Sequence, residues 1–163
     1  GAGHRIAVCR GGATRQESVA AGITRLPATV DLVLIHDAAR PLVTPELIRQ
    51  GIAMARQHGS AVAAIPVVDT IKQVDPEGRV LATPDRATLY AAQTPQVFRR
   101  DWLAAAYKRA RDLPVTDEAS LLELAGLPVY IYPGSPENLK LTTPIDLLIA
   151  EALLSERASR YAG

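Results

Sequence analysis

The run Val30-Asp31-Leu32-Val33-Leu34-Ile35 passes at once into the polar loop His36-Asp37-Ala38-Ala39-Arg40-Pro41, and this junction constrains the chain most. The run is short, apolar and rich in β-branched residues, so it reads as a buried strand. Thr44-Pro45-Glu46 then reads as a helix start. The helix runs over 45–57 with Leu47, Ile48, Ile52 and Ala55 on one face, and His58-Gly59 ends it, His58 being solvated. Ala61 to Val68 is the next buried strand. Strand, helix and strand in succession imply an α/β protein with a parallel sheet and right-handed crossovers. Open α/β sheets place ligands beyond the carboxyl ends of their strands, where this loop sits. Asp37 there suits a hard cation such as Mg²⁺, and Arg40 suits phosphate oxygens. An Asp–Arg pair bracing its own loop explains the same two residues equally well.

The rest of the chain fills in this pattern. Arg5 to Cys9 reads as a buried strand, with Cys9 in the core. Gly11-Gly12 and a polar turn lead into a helix that runs to about Ile23. Glycines after a strand let backbone N–H groups approach an anion, with Ser18 and Arg15 to assist, although an ordinary strand-to-helix turn needs the same residues. Asp69-Thr70-Ile71-Lys72 puts polar groups at another strand end. Ile71–Val74 and Arg79–Thr83 flank Asp75-Pro76-Glu77-Gly78, a hairpin signal that breaks the α/β rhythm. Such an insertion projects and leaves an edge for a second subunit to cover. Arg86 lies just beyond, and Gln93 and Gln96 flank Thr94-Pro95 in an expected turn.

Asp101 to Arg111 reads as a helix offering Trp102, Ala105, Ala106 and Ala110 to the core. Thr116-Asp117-Glu118-Ala119-Ser120 opens another, its acidic residues favoured by the helix dipole. Gly126 ends it, Val129 to Tyr132 is the last strand, Lys140 falls near a further strand end, and Pro144 opens the final helix. The tail from Ser155 to Gly163 is expected to fray.

Bulk properties exclude several classes. The 163 residues, 48% hydrophobic and 21% charged, fit one soluble domain, and the net charge of +1 offers no nucleic-acid or membrane surface. A single cysteine rules out an internal disulfide framework and suits a reducing, cytoplasmic setting.

Taken in order, these loops resemble the 2-C-methyl-D-erythritol 4-phosphate cytidylyltransferase family. The matching stretches are Gly11-Gly12 with Arg15 and Ser18-Val19, His36 to Pro41, Pro66 with Asp69 to Lys72, Gln93 to Gln96 with Phe98, Thr116 to Ser120, and Asn138 with Lys140, Thr142 and Asp146. The resemblance implies a three-layer α/β/α, Rossmann-like nucleotidyltransferase fold with a mostly parallel sheet. It implies a homodimer joined through a protruding β-arm at about residues 71–86, and one nucleotidyltransferase domain over 1–163. It implies transfer of CMP from CTP to methylerythritol phosphate with Mg²⁺ and release of pyrophosphate. Asp37 would hold the metal and, with Arg40 and Lys140, carry the chemistry. Gly12, Arg15, Ser18 and Ala38 would meet the nucleotide. Thr70, Arg86, Thr94, Thr116 and Lys140 would surround the methylerythritol phosphate, with Arg86 reaching the neighbouring subunit's site.

The family pattern also includes an initial strand and a glycine-rich loop bearing an Arg and a Lys, and Gly1 to Arg5 is too short to supply them. The sequence therefore reads as N-terminally incomplete: a fragment, part of a longer chain, or a degenerate homologue reduced to a binding or dimerisation module. A nucleotidyltransferase acting on a related alditol or sugar phosphate is the other enzyme that these residues accommodate.

Overall fold

The computed structural model describes residues 6–110 and 115–161. Its elements are helix α1 (Arg15–Ile23), strand β1 (Leu32–Ile35), helix α2 (Pro45–His58), strands β2 (Ser60–Pro66), β3 (Gln73–Val74) and β4 (Val80–Ala82), a 3₁₀ turn (Arg86–Thr88), strand β5 (Tyr90–Arg99), helices α3 (Arg100–Ala110) and α4 (Glu118–Leu124), strand β6 (Ile131–Pro133) and helix α5 (Pro144–Tyr161). Four strands form one mixed sheet in the order β1-β5-β2-β6, and β3 and β4 form a separate hairpin. Residues cluster into two compact units. One takes in the chain up to Ile35, Ile52–Ala61 and Gln96–Tyr130; the other takes in His36–Gly51, Val62–Pro95 and the chain from Ile131 onward.

In the first unit β1 runs antiparallel to β5, from Leu32 opposite Arg99 to Ile35 opposite Gln96. Val97, Phe98, Leu103, Ala106, Leu121 and Leu122 are fully buried here. The core face of α3 is thus Leu103 and Ala106. Trp102 instead packs under Gly59, where a Cβ would fall 2.5 Å from its ring. His58 stacks on Tyr130 with ring centroids 4.5 Å apart, which corrects its reading as a solvated helix end.

In the second unit β2 pairs in parallel with β6, Val62 opposite Ile131 and Ala64 opposite Pro133. Gly134 then donates its N–H to the Ala64 carbonyl at 2.8 Å. Any side chain at Gly134 would meet the Gln93 amide oxygen at 2.6 Å, so this close approach requires glycine. The hairpin pairs Gln73 with Ala82 and Val74 with Val80. Its turn is closed by Asp75, which accepts from the Arg79 backbone N–H at 2.8 Å and from its Nε at 2.9 Å.

Three other expectations change. Residues 6–12 form no strand, and Ile6 and Val8 are 93% and 94% exposed. A β-prone run stays irregular without a neighbour to complete its ladder, and no strand among the described residues pairs with it. Cys9 is accordingly half-buried rather than core, and Arg5 lies outside the described residues. Gln93 to Gln96 lie inside β5 rather than in a turn, and the peptide bond between Thr94 and Pro95 is cis. The tail is helical to Tyr161, held by buried Ala150, half-buried Leu153 and Arg157, which donates to Glu137 at 2.8 Å and to the Leu42 carbonyl at 3.0 Å. Arg111 and residues 162–163 lie outside the described residues.

Asp146 caps α5. It accepts from the Thr142 N–H at 2.8 Å, the Thr143 N–H at 2.7 Å and the Thr142 hydroxyl at 2.9 Å. These bonds favour the ionised carboxylate and lower its pKa to about 2. A depressed folded-state pKa contributes stability above the unfolded value of about 3.9, and that stability is lost as pH falls through about 2. Asp146→Asn is therefore expected to melt below wild type at neutral pH, with the gap closing as pH falls from about 4 to 2. Melting followed by circular dichroism across that range checks it; a gap that widens on acidification contradicts the cap.

Candidate functional site

Strand β1 ends at Ile35, and the loop His36–Pro41 begins the second unit. The loop's shape comes from hydrogen bonds to its neighbours. The Asp37 N–H donates to the Thr94 hydroxyl oxygen at 3.0 Å, and that hydroxyl is 2.9 Å from His36 Nδ1. His36 Nε2 lies 3.0 Å from the Arg40 carbonyl oxygen. A carbonyl only accepts, so Nε2 carries a proton, and in the neutral ring Nδ1 accepts from Thr94. His36 thereby ties both ends of the Asp37–Arg40 turn to β5. The Leu141 N–H closes the other side on the Ala39 carbonyl at 2.7 Å.

This bracing brings three predicted residues together. Asp37 Oδ2 lies 2.9 Å from Lys140 Nζ, with the Asp37 side chain 17% and the Lys140 side chain 45% exposed. Arg40 Nη1 donates to the Asn138 carbonyl at 2.7 Å. Asp37 thus pairs with Lys140, from a distant loop, in addition to facing Arg40. Burial lowers the Arg40 pKa, and the Asp37 carboxylate opposes that shift. Arg40 Nε and Asn138 Oδ1 are buried without a hydrogen-bond partner among the described residues. Ala38 is exposed on the same loop.

Behind the loop sits a buried amide cluster that sequence reasoning quoted but gave no task. The Asn138 Nδ2 donates to Thr94 O at 2.7 Å and to Gln93 Oε1 at 3.2 Å, while Gln93 Nε2 donates to Ser135 O at 2.9 Å. These bonds seat the loop that delivers Lys140. Thr70 and Arg86 are exposed elsewhere in this unit, and Arg86 Nη1 donates to the Val68 carbonyl at 2.6 Å.

The first unit holds the other predicted residues. The Gly12 N–H donates to Ser18 Oγ at 3.1 Å, and a Cβ on Gly12 would fall 2.2 Å from the Glu17 Cβ. Thr14 caps α1 in a capping box with Glu17. Arg15 is held by Glu118, its Nη1 2.9 Å and 2.8 Å from the two carboxylate oxygens. Thr116 is exposed just before Asp117, which caps α4 by accepting from the Ser120 N–H at 2.9 Å. Gln96 Nε2 donates to the same carboxylate at 2.8 Å.

A family model described as 2-C-methyl-D-erythritol 4-phosphate cytidylyltransferase matches residues 2–156. The chain belongs to that family. Within the 2-C-methyl-D-erythritol 4-phosphate cytidylyltransferases, it is 49% identical to the Symbiobacterium thermophilum protein over 93% of this chain and 65% of that one. It is 55% identical to a "Bifunctional enzyme IspD/IspF" of Nitrobacter hamburgensis over 89% of this chain and 37% of that one. The crystal structure of the Thermus thermophilus cytidylyltransferase superposes with a TM-score of 0.80 at 38% identity, covering 89% of this chain and 71% of that chain. The Rossmann-like α/β nucleotidyltransferase fold is therefore this chain's fold. The chain spans 65% of the length of the first of these curated relatives.

Asn138 is 2% exposed, so removing its side chain takes the Nδ2–H away from the Thr94 carbonyl inside the protein. Asn138→Ala is expected to cost about 1–3 kcal/mol, the penalty for buried polar groups left unpaired. Urea unfolding measures it, and a midpoint equal to wild type contradicts the cluster's structural role.

Proposed function

We propose that the protein transfers CMP from CTP to 2-C-methyl-D-erythritol 4-phosphate, forming 4-diphosphocytidyl-2-C-methyl-D-erythritol and pyrophosphate. The observation that carries this reading is the Asp37–Lys140 ion pair beside Arg40 in a chain of this family. In this reaction a phosphate oxygen of one substrate attacks the α-phosphorus of the other, and the bond to pyrophosphate breaks. The attacking phosphate is already ionised, so no general base is required. What the protein supplies is alignment of two anions and stabilisation of charge on the leaving group. Lys140 and Arg40 would offer positive charge to the methylerythritol phosphate, with Thr70, Thr94, Thr116 and Arg86 as further contacts. Arg40 has a buried Nε without a partner among the described residues, which suits a residue that meets an anionic ligand. Gly12, Arg15, Ser18 and Ala38 would lie on the nucleotide side.

Asp37 would hold the divalent cation. Among the described residues no three His, Cys, Asp or Glu side chains gather as a metal cage. One carboxylate still fits Mg²⁺, which is commonly bound by one or two carboxylates with phosphate oxygens and water completing the shell. The carboxylate already faces a cationic group, Lys140 Nζ. When bound, the ion would neutralise phosphate charge.

The hairpin supports a homodimer. Val74, Val80 and Leu81 on it are 50%, 53% and 54% exposed, and a second copy would cover that surface. No helix among the described residues is long and apolar enough to cross a membrane. With one cysteine in the sequence, we read the enzyme as cytoplasmic.

Phosphorus NMR of the full polypeptide with CTP, methylerythritol phosphate and Mg²⁺ is expected to show pyrophosphate and a new diphosphate ester. Product formed only with another alditol or sugar phosphate contradicts the assigned acceptor. Asp37→Asn is expected to lower turnover by about 100-fold or more with little change in melting; near-normal turnover with Mg²⁺ removes Asp37 from the metal site. Excising residues 74–80 is expected to shift sedimentation from dimer towards monomer. A wild-type chain that sediments as a monomer at high micromolar concentration rules out the arm interface.

A further inference from the structure

Glu118 is the only carboxylate among the described residues with no solvent exposure. It stands at the first position of α4 beside fully buried Leu121 and Leu122. Asp117 already caps that helix, so the cap does not account for the burial of a second carboxylate. The charge is met by Arg15 through both oxygens, and the Tyr107 hydroxyl lies 3.4 Å from Oε1 and 3.4 Å from the Gln16 carbonyl oxygen. Arg15 and Gln16 are the first two residues of α1. Helix α1 itself buries none of its residues. Its residues Ser18 to Ile23 are half-buried and none is fully buried, so the polar contacts at its first turn add to a thin apolar packing in docking it. Directly before that turn lie Gly11 and Gly12, and Gly12 is hydrogen-bonded to Ser18.

We propose that Glu118 is a positioning residue for the nucleotide: acting through Arg15, it sets where Gly11, Gly12 and Ser18 stand, and so sets nucleotide affinity without touching the nucleotide. The proposal rests on the reading of that loop as the nucleotide side of the site. It also gives Arg15 a different task from binding phosphate, since its guanidinium neutralises a buried carboxylate whose pairing is costly to break.

The test is calorimetric titration of CTP and of CMP into the full polypeptide, with melting recorded for every variant. Glu118→Gln keeps the shape and removes the charge that holds Arg15. It is expected to weaken CTP and CMP alike by about tenfold, within the range of residues that act through another group. Arg15→Lys, which keeps the charge but loses reach, is expected to give a smaller loss and serves if Glu118→Gln does not fold. Leu103→Ala, a core truncation in the same unit, is expected to lower melting without changing nucleotide affinity well below its midpoint. A CTP affinity within twofold of wild type in both Glu118→Gln and Arg15→Lys overturns the proposal. So does a loss in Arg15→Lys that falls on CTP and spares CMP, because Arg15 is then a direct triphosphate ligand. Ser18→Ala separates this from the underlying reading. If Ser18→Ala weakens CTP and Glu118→Gln does not, only the positioning role fails. If neither does, the nucleotide loop fails with it.

Discussion

Strand β5 buries polar side chains where a central strand ordinarily places apolar ones, and the site is built from the need to satisfy them. Gln93, Thr94 and Gln96 are 6%, 4% and 2% exposed. Each unpaired polar group there would cost about 1–3 kcal/mol, a large share of a domain's net stability. Their partners are loop and helix-cap groups: Asn138 and Ser135 for Gln93, His36 and the Asp37 backbone for Thr94, Asp117 for Gln96. The strand thus dictates the path of segments far away in sequence, and Asp37 and Lys140 meet because their loops are fastened to the same residues. A wholly apolar β5 would leave both loops without that register.

The same logic separates two kinds of charged residue. Asp37 and Lys140 are partly exposed and their pair borders solvent, as suits groups that exchange a protein partner for a ligand. Glu118 has no exposure, so its pairing with Arg15 is permanent while the fold lasts. Both are ion pairs by distance, and burial assigns them to different tasks.

Much of this was legible in the sequence. The β1 run, the α2 helix ending at Gly59, the Asp75–Gly78 hairpin and the helix opening at Pro144 all follow from local rules of periodicity, turn chemistry and capping. So does the order of the loops that carry the family likeness. What escaped depends on distant partners. Residues Ile6 to Cys9 have strand composition and no strand beside them among the described residues. Thr94-Pro95 looks like a turn because proline donates no hydrogen bond, and only the fold accommodates it within β5. Glu118 looks like a dipole residue of its helix, since an acidic residue in a first turn explains itself. Its burial and the hold of Arg15 span about a hundred positions of sequence, which no local pattern encodes.

The seating of His36 has a consequence for what holds the turn in shape. Its Nε2–H meets the Arg40 carbonyl, and Nδ1 accepts from the Thr94 hydroxyl, whose oxygen also receives the Asp37 N–H. A flat, stiff ring thus stands between the two ends, so the span of the turn is set by a plane of atoms and not by a flexible chain.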